Sequence, residues 1–355
     1  MLVTGTASTD LHGLHLWMRH ESRPTERRAP ITPDDARTIV NHGATLTVER
    51  SHQRVFAIEE YEHVGCAVAD PRSWVEAPLT TYVVGIKELD EQPATLRHTH
   101  IYFAHAYKEQ EGSRALLRRF VDGGGELVDI EYLAVNQRRV VAFGYWAGYV
   151  GASLAVLAHR GALVAPLAPA TRLDLDDAVA QSSSSPGSAL VLGARGRSGR
   201  GAVDALGRVG WEISRWGIDQ TRELDRARLL DHDLLVNCVV SYGRQEPFVR
   251  PRDLDAPRRL RVIGDVTCDV TSEANLIPLN TATTTWDEPV RRFGESSTGG
   301  PLDVIAIDNL PSLLPREASV SFSADFTPLL VDLASRTGAF AAAREAFVEA
   351  TSTLR

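Results

Sequence analysis

Residues 189–206 read ALVLGARGRSGRGAVDAL, an apolar run that enters a turn with four glycines and continues in a helical pattern. Gly193, Gly196 and Gly199 stand where a dinucleotide-binding unit needs a tight turn, close approach of the backbone to a pyrophosphate, and close packing of helix on strand. Ala194 replaces the first glycine of a strict GxGxxG pattern, so we expect Gly193 to make the turn. A glycine string also occurs in ordinary loops, but the strand before it and the helix after it favour a nucleotide site.

Short apolar runs alternate with helical or polar stretches on both sides of that turn. Strands are predicted at residues 15–19, 44–49, 81–86, 101–105, 126–130, 212–216, 234–240 and 261–265. Helices are predicted to start at Thr32-Pro33-Asp34 and to cover residues 58–64 and 109–121. This alternation predicts an α/β protein with two Rossmann-like domains, each a doubly wound and mainly parallel sheet, and a cleft between them.

The chain length of 355 residues exceeds what one hydrophobic core usually spans, which predicts two domains. A serine-rich stretch at residues 182–188 is typical of an exposed connection. The helical tail over residues 324–350 has no strands of its own, so we expect it to pack back on the first domain. We predict a substrate domain formed by residues 1–143 and 313–355, and a dinucleotide-binding domain formed by residues 144–312.

Composition excludes several classes of function. The net charge is −8 and no basic face stands out, which argues against nucleic acid as a partner. The three cysteines lack metal-ligand spacing, so we expect no metal site, no disulfide framework and a reducing compartment. No signal peptide is recognisable, which favours the cytoplasm. Residues 140–158 carry no charge, but their glycines and tyrosines favour a buried helix that links the domains over a membrane span.

Three successive predicted strands end at or just before the ionisable residues Lys87, His105 and Glu131. In open parallel sheets the ligand lies beyond the carboxyl ends of the strands. A single histidine or glutamate there is more often structural, but three convergent groups make a site the better interpretation. Only two of the 38 basic residues are lysines, Lys87 and Lys108. Lysine can act as a base when its pKa is lowered, whereas arginine cannot, although chance retention of two surface lysines stays open.

Five longer motifs stand out in the chain: LWMRHESRPTERR (16–28), GIKE (85–88), FAHAYK (103–108), GARGRSG (193–199) and IDNLPSLLPREA (307–318). Through these motifs the chain resembles, from about residue 14 to 335, the NAD-dependent, lysine-forming saccharopine dehydrogenase family. A more distant resemblance is to alanine dehydrogenase. The resemblance implies reversible oxidative deamination of a secondary amine, in which an imine is hydrolysed to an amino acid (L-lysine) and a 2-oxo acid (2-oxoglutarate).

The resemblance also implies the roles of individual residues. Lys87 and His105 match the acid/base pair, and Glu88 and Glu131 match acidic residues that tune it. Substrate carboxylates are assigned to Arg28 and, on weaker grounds, to Arg23, Lys108 and Arg139. One loop carries Arg19, Arg23, Arg27 and Arg28, and the alternative interpretation of that loop is a solvated basic surface. The residues expected to bind the cofactor are Gly193, Gly196, Arg197, Ser198, Gly199, Asp219 and Asp308.

Two positions depart from the family pattern. Ser198 stands where some relatives have a cysteine that pairs with the equivalent of Cys238, so that bridge cannot form here. Gly217 stands where an acidic residue usually binds the adenosine ribose. Asp219 is expected to replace it, which favours NAD, while Arg215 and Arg222 keep NADP open as an alternative.

Three other functions compete with the leading one. The nearest is a related opine or imine reductase that joins a different amine and 2-oxo acid. The second is an alanine dehydrogenase-like amino-acid dehydrogenase. The third is a non-catalytic nucleotide sensor, which the presence of Lys87, His105 and Glu131 together disfavours because a sensor needs none of them.

Overall fold

The computed structural model describes residues 10–107, 112–136, 138–182, 185–241, 243–294 and 299–354. The chain divides into two compact units. Unit 1 comprises Met1–Ala142 and Ala318–Arg355, and unit 2 comprises Phe143–Glu317. Each unit is organised around one six-stranded sheet.

The described strands, in chain order, are β1 (His15–Met18), β2 (Thr45–Glu49), β3 (Ala67–Ala69), β4 (Tyr82–Val84), β5 (Thr99–Tyr102), β6 (Glu126–Asp129), β7 (Ala134–Val135), β8 (Arg138–Arg139), β9 (Ser188–Leu192), β10 (Glu212–Trp216), β11 (Leu234–Asn237), β12 (Val262–Asp265), β13 (Arg291–Phe293) and β14 (Leu302–Ile305). The described α-helices are α1 (Pro33–Asn41), α2 (Ile58–His63), α3 (Ser113–Gly123), α4 (Gly144–His159), α5 (Arg172–Gln181), α6 (Arg197–Arg208), α7 (Ile218–Arg222), α8 (Arg226–Leu230), α9 (Pro315–Phe326) and α10 (Gly338–Thr351).

The sheet of unit 1 has the order β3-β2-β1-β4-β5-β6, and every described pair in it is parallel. Leu16 and Met18 of the central strand are fully buried, as expected for a parallel sheet covered on both faces. The last helix, α10, packs against β6, β7 and α3 of the same unit. Its buried side chains include Phe340 and Phe347, which supply part of the core.

The sheet of unit 2 has the order β10-β9-β11-β12-β14-β13, with β13 antiparallel at the edge. Successive residues of β9 face two different cores. Ala189 and Val191 belong to a core that also contains α4 and α6, whereas Leu190 and Leu192 belong to the core on the opposite face. The order reverses beside β9, so the carboxyl end of β9 lies at the position where doubly wound sheets bind their ligands.

The structure corrects several predicted boundaries. The fifth strand ends at Tyr102 and not at His105, because the backbone turns out of the sheet and His105 adopts φ 50°. The third helix begins at Ser113, and residues 109–111 of its predicted range lie outside the described residues. The strand predicted at 234–240 ends at Asn237. The side chain of Asn237 donates a hydrogen bond to Asp265 and accepts one from the amide of Val239.

The elements missed in the sequence include one helix and one central strand. Residues 172–181 form α5, although the stretch was interpreted as part of a loose connection. Thr171 caps it by accepting a hydrogen bond from the amide of Asp174. Strand β14 was also missed. The uncharged stretch at 140–158 folds mainly as α4, and no helix in the described part of the chain is both long and apolar enough to cross a membrane.

Candidate active site

Three of the predicted site residues follow neighbouring strands of the unit 1 sheet. Lys87, His105 and Glu131 come two or three residues after the ends of β4, β5 and β6, which are adjacent and parallel. The carboxyl ends of parallel strands meet at one edge of a sheet. The strand order therefore brings these three residues to the same edge of unit 1.

The backbone of Lys87 is held on both sides by buried side chains. The carboxylate of Glu21 accepts hydrogen bonds from the amides of Ile86 (2.7 Å) and Lys87 (3.0 Å). The guanidinium of Arg19 donates to the carbonyl oxygen of Lys87 and lies 3.3 Å from Glu21. Burial raises the pKa of Glu21, against the opposing effect of Arg19. This arrangement fixes the main chain from which the Lys87 side chain extends.

Arg28 is engaged by a carboxylate of its own loop. Its Nε and Nη2 atoms donate to the two oxygens of Glu26 at 2.8 and 2.5 Å, and both side chains are buried. Burial by itself would raise the pKa of Glu26, but Arg28 and then Lys87 lower it below its ordinary value. Glu26 is therefore a charged group beside both Arg28 and Lys87. The assignment of Arg28 to a substrate carboxylate stays a prediction.

His105 faces Glu131. Its Nδ1 lies 3.4 Å from Oε2 of Glu131, whose other oxygen lies 3.6 Å from Nη1 of Arg139. The His105 side chain is 49% exposed, whereas that of Glu131 is 13% exposed. Glu131 thus lies between the side chains of His105 and Arg139, and the imidazole ring reaches solvent.

A buried acid beneath this pair was missed in the sequence. Asp129 is fully buried, and its carboxylate accepts a hydrogen bond from the amide of Glu131 at 3.0 Å. This amide belongs to the loop that carries Glu131. Burial and then the charge of Glu131 raise the pKa of Asp129. An aspartate that ends a buried strand was the available signal, and it was passed over in favour of Glu131.

The other predicted residues of unit 1 are spread more widely. Glu88 is exposed and pairs with Arg23 at 2.8 Å. Lys108 lies outside the described residues. Among the predicted site residues, Glu88 thus contacts Arg23, and Glu131 contacts His105 and Arg139.

The glycine turn of unit 2 connects β9 to α6. Gly193 adopts φ 70°, and its carbonyl oxygen accepts from the amide of Gly196 at 2.9 Å. A Cβ atom at Gly193 would lie 2.8 Å from the carbonyl oxygen of Cys238, and one at Gly199 would collide with the backbone of the turn. Gly196 precedes the first turn of α6 and is exposed. The turn thus presents a helix N-terminus without covering side chains, which suits a phosphate group.

Helix α4 packs closely against the start of α6. A Cβ atom at Gly148 would collide with the backbone of Ser198, and one at Gly201 would collide with the backbone of Tyr145. Arg197 and Ser198 are both half-buried in the first turn of α6. Gly144 and Gly148 of α4, which had argued against a membrane span, are explained by this close helix packing, whereas Gly151 lies against Val266.

The predicted ribose contact lies just beyond β10. Gly217 is extended, and its amide donates to the side chain of Gln220 at 2.9 Å. Asp219 is exposed in the first turn of α7, and Arg215 and Arg222 are also exposed. Asp308 is exposed shortly after β14.

A second buried acid was missed at the carboxyl ends of β11 and β12. Asp265 is 3% exposed and accepts a hydrogen bond from Nδ2 of Asn237 at 2.9 Å. Burial raises its pKa to about 6, with a smaller contribution from Asp269. Burial next to Asp265 also raises the pKa of the Cys238 thiol. All three cysteines are free, and among the described residues no cluster of His, Cys, Asp and Glu could hold a metal ion.

Part of the chain matches a known family model, and the fold is similar to that of a solved dehydrogenase. Residues 17–150 match the family model described as "Alanine dehydrogenase/PNT, N-terminal domain". A solved L-alanine dehydrogenase superposes with a TM-score of 0.67 at 18% sequence identity, over 94% of each chain. The predicted α/β fold class, with two Rossmann-like domains, is confirmed.

Sequence comparison with curated proteins identifies the family of the chain. It is 39% identical over 345 residues to saccharopine dehydrogenase (NAD+, L-lysine-forming) of Schizosaccharomyces pombe, covering 90% of this chain and 93% of that protein. It is also 39% identical over 360 residues to the enzyme of that name from Neurospora crassa, covering 96% and 97%. The chain belongs to the saccharopine dehydrogenase family, as its motifs predicted.

Proposed function

We propose that this protein is an NAD-dependent oxidoreductase that acts on the CH–NH group of saccharopine and interconverts it with L-lysine and 2-oxoglutarate. The observation that carries the proposal is the placement of Lys87, His105 and Glu131 after three adjacent parallel strands, in a chain of this family. Unit 1 then supplies the substrate groups and unit 2 binds the dinucleotide. The cytoplasm is the compartment we propose.

The dinucleotide fits the glycine turn of unit 2. The side chains that would cover the N-terminus of α6 are missing at Gly193, Gly196 and Gly199, and a Cβ at the first or last of these would collide with backbone atoms. When bound, NAD accepts a hydride from the substrate carbon or returns it. Arg197, Ser198, Asp219 and Asp308 are the further residues proposed to contact it.

Two proton-transferring groups are needed at the substrate. A secondary ammonium ion releases hydride only after a base removes its proton, and hydrolysis of the imine then needs a group that activates water. Lys87 and His105 are proposed for these two roles. Nδ1 of His105 faces Glu131, so Nε2 is the nitrogen that exchanges a proton with substrate or water. Glu26 lies close enough to Lys87 for the two side chains to interact electrostatically, and Glu131 faces Nδ1 of His105.

Saccharopine carries three carboxylates, so its site requires several cations. Guanidinium groups bind carboxylates with two parallel hydrogen bonds. Arg23, Arg28 and Arg139 each already contact a protein carboxylate, Glu88, Glu26 and Glu131 respectively. These carboxylates orient the arginines toward a polyanionic substrate. Lys108 is retained as a further candidate.

An amino-acid dehydrogenase that releases ammonia is the second candidate function, because the fold is also that of L-alanine dehydrogenase. Steady-state oxidation of NADH separates the two. We expect turnover with 2-oxoglutarate plus L-lysine, and none with pyruvate plus ammonia. The reverse result would support the second candidate, and turnover with 2-oxoglutarate and a different amine would identify a related reductase.

Variants test the proposed roles within the same assay. We expect Lys87→Met and His105→Gln each to lower kcat by about 10² or more, the usual loss for a positioned acid or base. NADH binding, measured by fluorescence, should be retained because neither residue belongs to the glycine turn. Near-normal turnover in both variants would refute the assignment.

A further inference from the structure

Gln53 lies just beyond β2 and its side chain is 6% exposed. Its Nε2 atom donates to three backbone carbonyl oxygens, those of Glu21 (2.8 Å), Arg23 (2.9 Å) and Glu26 (3.0 Å). All three belong to residues 19–28, which we call the arginine loop. One side-chain amide therefore gathers the backbone of this loop at a single point.

The two residues after Gln53 contact the same loop. Nη2 of Arg54 donates to the carbonyl oxygen of Arg19 at 3.3 Å, and the amide of Val55 donates to that of Arg27 at 2.9 Å. The segment 53–55 thus binds both ends and the middle of the arginine loop. Gln53 makes the middle contacts, to the backbone of Glu21, Arg23 and Glu26. The side chains of these three residues bind Lys87, Glu88 and Arg28 respectively.

The chemistry of this position restricts the residue that can occupy it. The three carbonyl oxygens lie in an irregular segment, so no sheet or helix supplies their donors; that of Arg23 also accepts from the amide of Glu26 in a turn, at 2.9 Å. Buried carbonyl groups without donors are costly. A glutamine amide offers two hydrogens without bringing a charge into the interior. Asparagine is one methylene shorter, and a carboxylate would repel the oxygens.

We propose that Gln53 is a positioning residue for substrate binding, which holds the arginine loop in the shape that presents Arg23 and Arg28 to the substrate carboxylates. The inference rests on the proposed function for the identity of the ligand. The contacts that hold the loop do not depend on it. Gln53 itself contacts no reacting atom in this assignment.

Gln53→Met is the first test, because methionine has a similar volume and no donor. Hydrogen exchange followed by mass spectrometry should show that peptides of residues 19–28 exchange about tenfold faster than in the wild type, while peptides of α3 are unchanged. The KM for the carboxylate substrates should rise about tenfold, kcat should fall by less than KM rises, and the dissociation constant for NADH should stay the same.

Gln53→Glu provides a second test that depends on pH. When protonated, the new carboxyl group can donate one hydrogen bond to the loop; when ionised, it faces three carbonyl oxygens. As the pH rises from about 5.5 to 8, the exchange rate of residues 19–28 and the KM should therefore both increase relative to the wild type at the same pH. This variant keeps the proposal falsifiable if Gln53→Met does not fold.

Tyr61→Phe is the matched control. Tyr61 is buried, and its hydroxyl donates to the carbonyl oxygen of Ile31, just outside the arginine loop, at 2.8 Å. Its loss should lower the melting temperature with no change in KM. The proposal is overturned if the Gln53 variants leave loop exchange and KM unchanged, or if they alter substrate KM and NADH binding equally. Exchange of the loop is read without substrate, so a failure of the proposed function would appear separately, as absent turnover by the wild type.

Discussion

The carboxylate of Glu21 accepts a hydrogen bond from the amide of Lys87 at 3.0 Å, across 66 positions of sequence. Because Arg19 binds the carbonyl oxygen of the same residue, the main chain of Lys87 is fixed at its donor and its acceptor. Only the side chain of Lys87 lies outside these two contacts. The buried ion pair of Arg19 and Glu21 therefore determines the position of Lys87.

Replacing Glu21 with glutamine tests this relationship. Glu21→Gln keeps the volume but turns an amide group toward one of the two backbone amides and leaves the buried Arg19 without its counter-charge. Breaking a buried pair in this way costs about 3 kcal/mol of unfolding free energy. We expect denaturant unfolding to show that loss and kcat to fall about tenfold. Asp34→Asn, which removes an exposed partner of Arg37, is the control, with no more than about 1 kcal/mol of change. Equal effects in the two variants would contradict the role of Glu21.

The glycine turn is tested by two substitutions in one helix. Gly199→Ala should weaken NADH binding at least tenfold and destabilise the protein by about 1–3 kcal/mol, because the new methyl group collides with Gly193 and Ala194. Gly207→Ala, in the same α6, meets nothing within 4 Å and should stabilise the protein by about 0.5–1 kcal/mol. Both quantities can be measured by fluorescence titration and denaturant unfolding. Unchanged NADH affinity in Gly199→Ala would count against the turn as the dinucleotide site.

Cofactor preference depends on what replaces the acid missing at Gly217. We expect a higher kcat/KM for NADH than for NADPH in the wild type, because a carboxylate at Asp219 binds the ribose hydroxyls and repels a 2′-phosphate. Asp219→Ala should reduce that ratio about tenfold. A wild-type preference for NADPH, or a ratio that Asp219→Ala leaves unchanged, would show that Asp219 does not replace the missing acid.

Asp265 should make stability depend on pH. Its pKa in the folded protein is about 6, above the ordinary value of 3.8, so the folded state holds a proton that the unfolded state has lost between these values. The stabilising contribution of Asp265 to the unfolding free energy is therefore fully present below about pH 4 and is lost as pH rises through about 6. Between pH 5 and 7.5 the unfolding free energy of the wild type, minus that of Asp265→Asn, should fall by about 1 kcal/mol. A difference that stays constant or rises over this range would refute the buried, protonated state.

Local patterns in the sequence were sufficient for part of the fold and site. The glycine turn was predictable because a tight turn, an adjacent strand and an adjacent helix occur together within 18 residues, at 189–206. Lys87, His105 and Glu131 were predictable as a group because sequential strands of a parallel sheet are often neighbours. The end of β5 was not, since the left-handed conformation of His105 leaves no signature in a run of apolar residues.

Long-range contacts account for most of what was missed. Gln53 and Glu21 act on backbone amides or carbonyl groups of other loops, and such contacts have no motif. Helix α5 was missed because a single residue, Val179, is buried in it, so its polar composition looked like that of a loop. The side chains that hold a site in place are therefore less predictable than the side chains proposed to react.

The most direct test of the proposed reaction follows the hydride into the product. The wild-type protein would be incubated with L-lysine, ammonium ion, 2-oxoglutarate and NADH carrying deuterium at the transferred position, and the products analysed by mass spectrometry. We predict a single adduct of lysine and 2-oxoglutarate with one deuterium on the carbon that was the keto carbon of 2-oxoglutarate. Labelled glutamate formed from 2-oxoglutarate and ammonia, or no deuterated adduct despite bound NADH, would contradict the assignment of a saccharopine-forming activity.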